Sequence, residues 1–113
     1  MGDVGGSYQV ARNNILVNPG YVGIQPQGGT HIKIDHNTIY SSSAAMSRVG
    51  LSGGNYSGTP STDVTVSYNK VKFFNAQGNE YDAWWDTATA TLPQGWSTNI
   101  LKADISTDFL QLN

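Results

Sequence analysis

The sequence predicts an all-β fold, a short right-handed parallel β-helix (solenoid) of about three coils with a C-terminal capping tail, and three observations predict it. An eight-residue frame occurs three times without gaps: Tyr8-Gln9-Val10-Ala11-Arg12-Asn13-Asn14-Ile15, Ile32-Lys33-Ile34-Asp35-His36-Asn37-Thr38-Ile39 and Val64-Thr65-Val66-Ser67-Tyr68-Asn69-Lys70-Val71. Each reads apolar, x, apolar, x, x, Asn, x, apolar. A second short element lies between the copies, as Tyr21-Val22-Gly23-Ile24, Arg48-Val49-Gly50-Leu51 and Glu80-Tyr81-Asp82-Ala83. The composition, third, favours strand and turn over helix, with 13 glycines among 113 residues and Glu80 as the single glutamate. A repeat of this length with three short strands is too small for a propeller blade and lacks the Leu spacing of leucine-rich repeats, which leaves a parallel solenoid.

Within each coil, strand one is Tyr21 to Gln25 and its equivalents, strand two holds the paired apolar residues before the Asn, and strand three follows at Thr38 to Tyr40 and Lys70 to Phe73. Alternation points the apolar residues inward, to stack on their equivalents one coil away. At the bend between strands two and three, Asn13, Asn37 and Asn69 are expected to form a ladder. Asn tolerates left-handed backbone angles, and its amide both donates and accepts across a rung of about 4.8 Å. The competing reading is three unrelated Asn turns. These asparagines fall 24 and then 32 residues apart, so the excess sits in loops, chiefly Ser52 to Thr62. Residues 1–113 read as one domain: a lead over 1–7, coils over 8–85, and a closing segment and cap over 86–113.

Composition also bounds the function. Charged residues make up 12% of the chain and the net charge is −2, so no basic field exists to hold nucleic acid or an anionic membrane. No apolar run approaches the ~20 residues that span a bilayer, and the start of the chain has neither the basic nor the apolar region of a signal peptide. The chain as given reads as soluble, with its compartment open. With no cysteine it has no disulfides or thiolate metal sites. No cofactor and no metal are expected: His31 stands at a loop end with no second histidine near it in sequence, and no Gly-x-Ser-x-Gly nucleophile motif occurs.

The repeated frame, the Gly23-Ile24 and Gly50-Leu51 strand, and the ending Leu92-Pro93-Gln94-Gly95-Trp96-Ser97-Thr98-Asn99 together resemble the C-terminal coils of the right-handed parallel β-helix, pectate-lyase-like superfamily. The resemblance covers roughly residues 8–99 and specifies fold better than activity. It implies that ligands, acidic polysaccharides among them, meet the outward face of strand one. Outward positions expected there are Tyr21, Gly23 and Gln25, then Arg48, Gly50 and Ser52, then Glu80, Asp82 and Trp84. The candidate carbohydrate-binding residues are Tyr21, Arg48, Glu80, Asp82 and Trp84: the rings would stack on a sugar face, and Arg48 would take a carboxylate. The competing reading is a solvated face in which Arg48 pairs with Glu80 or Asp82.

His36 reads as a surface turn residue between Arg12 and Tyr68, on an edge without an evident cleft. Lys33, Lys70 and Lys72 fall on separate faces, so the basic pair that lyase chemistry needs does not assemble, and no catalytic residue is assigned. Trp84 is expected outward, Trp85 inward, and Trp96 beneath the tail.

Both ends of a repeat stack must hide apolar cross-section and unpaired strand edges. Ile100, Leu101, Ile105, Phe109, Leu110 and Leu112 supply an apolar tail for one end. The few small residues before Tyr8 do not cover the other, which predicts a homo-oligomer, a dimer, through the first coil. The functional expectation is a self-associating module that binds carbohydrate on strand one without a complete catalytic site. A polysaccharide lyase or hydrolase whose groove is completed by oligomerisation, and a purely structural oligomerisation unit, are the alternatives.

Overall fold

The structure, a computed structural model, describes residues 6–42, 46–56 and 58–103. Strands follow one another as β1 (Val10–Arg12), β2 (Ile15–Val17), β3 (Val22–Ile24), β4 (Thr30–Asp35), β5 (Thr38–Ser42) and β6 (Val49–Gly53). After these come β7 (Asn55–Tyr56), β8 (Thr59–Pro60), β9 (Thr62–Ser67), β10 (Lys70–Phe74), β11 (Ala83–Trp85) and β12 (Ile100–Leu101), with a 3-10 turn at Trp96–Thr98 before the last. The strands form three parallel sheets, ordered β1-β4-β9, β2-β5-β10-β12 and β3-β6-β11. Each sheet takes one strand from every turn of the chain, the arrangement of a β-solenoid-like fold. β7 and β8 make a small antiparallel ribbon in the loop expected between Ser52 and Thr62.

The core is a column of equivalent side chains. Ile32 pairs with Val64 and Ile34 with Val66, Ile39 with Val71, and all six are buried. Phe73, Leu51, Ile24 and Trp85 complete the cluster. Each such side chain contributes about 1.5–3 kcal/mol on burial.

The Asn ladder is present, but its first member is Asn14 and not Asn13. Asn14 Nδ2 donates to Asn37 Oδ1 (3.0 Å), Asn37 Nδ2 to Asn69 Oδ1 (2.9 Å), and Asn69 Nδ2 to Asn99 Oδ1 (2.8 Å). The same oxygens accept the backbone N–H of Asn14, Asn37 and Asn69. The first coil therefore sits one residue away from the ungapped alignment: β1 pairs Ala11 with Ile34 and Arg12 with Asp35, and β2 pairs Leu16 with Ile39. Asn13 takes the preceding turn position, at φ 58°, which His36 and Tyr68 fill in the next coils at 56° and 55°. The left-handed residue turns the chain and the asparagine after it points inward. Left-handed backbone costs a non-glycine residue roughly 1–2 kcal/mol, which the ladder bonds offset.

A one-residue slip exchanges the two faces of a strand. In the first coil it leaves Val10, Ile15 and Val17 exposed and turns Ala11 and Leu16 toward the core. At the other end Gln94 bridges to Thr65, and Ile100 and Ala103 donate their N–H groups to Asn69 O and Val71 O. The closing segment thus begins a further rung over the third coil. The predicted lead falls mostly outside the described residues, at 1–5, as does the remainder of the predicted cap, at 104–113.

Candidate functional site

The strand-one sheet, β3-β6-β11, pairs Ile24 with Leu51 and Leu51 with Ala83, the register expected from the sequence. Its side chains do not all alternate as expected. A Cβ on Gly50 would stand 2.6 Å from Val71 Cγ1 and 2.6 Å from Asp82 O, and one on Gly23 would stand 2.9 Å from Ile39 Cγ2. These positions therefore face the interior, where adjacent coils come too close for any side chain. Asp82, one rung above Gly50, follows them inward. It is 7% exposed, its Oδ1 accepts the Phe73 N–H at 2.8 Å, and its Oδ2 accepts the Lys102 N–H at 3.1 Å.

What faces outward forms a groove of about 310 Å³ lined by Val22, Gln25, Arg48, Val49, Ser52, Tyr81 and Trp84. Trp84 and Tyr81 both line it and are 48% and 40% exposed. The Arg48 guanidinium donates to the Tyr21 hydroxyl and lies 5.5 Å from the centre of the Tyr21 ring. Ser52 Oγ is buried at the groove floor with no partner among the described residues.

Of the five residues expected to bind sugar, Arg48 and Trp84 line the groove and Tyr21 is held to it through Arg48, whereas Glu80 and Asp82 do not join them. Glu80 Oε1 pairs with Lys72 Nζ of β10 at 3.4 Å, and Asp82 belongs to the closing contact. The pairing of Arg48 with either carboxylate is thus absent, and among the described residues the groove holds a cation without a carboxylate partner. Tyr81 was not singled out in the sequence, although its place opposite Val49 follows from the repeat. Burial, with the Glu80 carboxyl beside it, pushes Asp82 up to about 7, against the amides of Phe73 and Lys102 that favour its charge.

A second cluster lies at the bend. Arg12 Nε and its terminal nitrogen hold the two oxygens of Asp35 at 2.7 and 3.0 Å, and His36 Nδ1 meets Asp35 Oδ1 at 2.9 Å. The hydrogen bond from Arg12 holds Asp35 down to about 2. The His36 ring stacks on Tyr68 at 5.2 Å, and the shallow hollow around them includes Asn13 and Ser67. The ungapped alignment had set Arg12 beneath His36; the true register sets it beneath Asp35 and creates the ion pair. A larger cavity of about 390 Å³ lies between Pro60–Val64 and Thr89–Gln94, but no aromatic ring lines it. For a ligand with an apolar face and polar edges, the groove over strand one carries the better chemistry.

Comparison with protein-family models, curated proteins and solved structures finds no match.

Proposed function

We propose that the protein is a right-handed, pectate-lyase-like β-helix module that binds carbohydrate in the groove over β3, β6 and β11. The carrying observation is the convergence of Trp84, Tyr81 and the Tyr21–Arg48 pair on one side of one sheet. A pyranose offers axial C–H groups to an aromatic face and hydroxyls at its rim, and the groove offers exposed rings and a multi-donor guanidinium. The handedness and the family likeness rest on the sequence frame and the parallel coils. Glycan-array screening followed by calorimetry tests the reading: Trp84→Ala and Arg48→Ala each weaken binding at least tenfold, with unfolding midpoints close to wild type. Equal binding by wild type and both variants refutes it.

Retaining and inverting glycoside hydrolases both place a pair of carboxyl groups around the scissile bond. Glu80 and Asp82, the two acids of the strand-one repeat, engage Lys72 and two backbone amides instead, which favours a binding module over a hydrolase. A lyase or hydrolase completed by oligomerisation is the rival reading, and turnover of uronate polymers to an ultraviolet-absorbing unsaturated sugar would establish its lyase form.

Self-association through the first coil is the second part of the proposal. Val10, Ile15 and Val17 are 58%, 53% and 52% exposed. At the same positions the second coil carries Lys33, Thr38 and Tyr40, and the third carries Thr65, Lys70 and Lys72. Exposed apolar residues where the next two coils carry Lys, Thr or Tyr suit a covered surface. Val17→Lys, which copies the third coil, converts a dimer to a monomer in sedimentation; a wild type that is monomeric at high concentration removes this part of the proposal and favours the binding groove alone. Oligomers without any ligand fit a purely structural unit.

A further inference from the structure

The turn from β10 into β11 brings two acids together where the third coil meets the closing segment. Asp82 spans the junction, because Oδ1 accepts the N–H of Phe73 in β10 and Oδ2 accepts the N–H of Lys102 in the closing segment. Glu80, two residues before it, acts on the Asp82 carboxyl and gives Oε1 to Lys72. Its other oxygen, Oε2, is buried and has no partner among the described residues. A carboxylate oxygen buried in this way lacks a donor, and a proton on it supplies one.

We propose that Glu80 and Asp82 share one proton and form a pH-sensitive clasp between the third coil and the closing segment, closed while the proton is held and loosened when it leaves to solvent. One proton held between the two carboxyls supplies the donor that the buried oxygen lacks, and Asp82 keeps both amide bonds. The charges also balance. Lys72 with the singly protonated pair is neutral, whereas loss of the proton leaves a net negative charge in a partly buried site.

The other charged or titratable groups near the pair do not compensate that loss. Lys102 contributes its backbone amide while its side chain is exposed, Tyr81 turns to the groove, and Arg48, one rung below Glu80, engages Tyr21. The upward displacement of Asp82 to about 7, caused first by burial and then by Glu80, sets the midpoint close to neutrality. Past that midpoint the closed, protonated fraction falls tenfold for each unit of pH.

The test is carboxyl-carbon NMR on the wild-type chain, together with amide exchange and thermal unfolding from pH 5 to 9 on wild type and Glu80→Gln. The Gln amide donates to Asp82 and accepts from Lys72 at every pH, so it imitates the protonated partner. The proposal expects one carboxyl resonance of the pair to titrate near 7. It also expects the Lys102 amide to lose protection across that step beyond the intrinsic rise of exchange with pH, Tm to fall as pH rises from 5 toward 7 and to level off above it because the unfolded carboxyls are already ionised, and both effects to vanish in E80Q. Comparing the two chains removes the contribution of groups they share, the histidines included. Both carboxyls titrating below pH 5 in the wild type, or an unchanged step in E80Q, overturns the clasp; if E80Q does not fold, the wild-type NMR titration decides alone.

Discussion

Replacing Asn69 by alanine tests the ladder where it is most enclosed. Asn69 is 0% exposed; its Oδ1 accepts both the backbone N–H and the Nδ2 of Asn37, and its Nδ2 donates to Ile34 O and Asn99 Oδ1. Alanine strands the buried Asn37 N–H, at about 1–3 kcal/mol, and forfeits the remaining bonds at about 0.5–1.5 kcal/mol each, less whatever Asn37 Nδ2 retains through Ala11 O. The expected loss is about 3–4 kcal/mol, a large share of the ~5–15 kcal/mol that holds a domain of this kind. Asn14→Ala is the control. It removes the side-chain bond to Asn37 at the exposed end while the Asn14 N–H keeps its acceptor, so it costs about 1 kcal/mol. Guanidinium unfolding followed by tryptophan fluorescence reads both variants, since Trp85 and Trp96 pack 6.0 Å apart against the core. Equal losses in the two variants, or less than about 1 kcal/mol for Asn69→Ala, would show that the ladder decorates the stack without holding it.

Gly50→Ala forces a methyl group against Val71 and the Asp82 carbonyl, and thermal unfolding should report a loss of about 2–3 kcal/mol; a neutral substitution would mean that the strand-one coils can separate freely. For Asp35, whose folded pKa lies below its unfolded value near 4, the pairing with Arg12 adds stability above that value and loses it as pH falls from about 4 toward 2. Arg12→Ala should therefore flatten that acid limb and lower stability at neutral pH only slightly, because solvent screens the half-exposed arginine. A wild-type acid limb retained in the variant assigns it to other groups.

Most of the architecture was legible because stacked coils repeat their side-chain environment. Ile32 over Val64, Ile39 over Val71 and Ile24 over Leu51 could be aligned from residue type alone, and the structure pairs them so. Trp84 outward and Trp85 inward followed from alternation. The fourth ladder member, Asn99, had a signal that was not used: Asn99-Ile100-Leu101 repeats Asn14-Ile15-Leu16, and both triplets lie on the same sheet. That likeness also separates Asn14 from Asn13. The ungapped frame places Tyr8, Val10 and Ile15 inward, whereas the structure leaves those residues on the surface.

The sequence by itself determined a parallel, repeating all-β chain, its core column and the outward places of Arg48 and Trp84 on strand one, because those features depend on residue type recurring at equivalent steps. Tertiary structure alone decided the rung of the first coil, the inward turn of Gly23, Gly50 and Asp82, and the partners of Arg12 and Glu80. A shift of one residue scarcely alters local pattern yet reverses every side chain, and the close approach of neighbouring coils sets which positions admit one. Both are contacts between separate strands, fixed only when the stack closes.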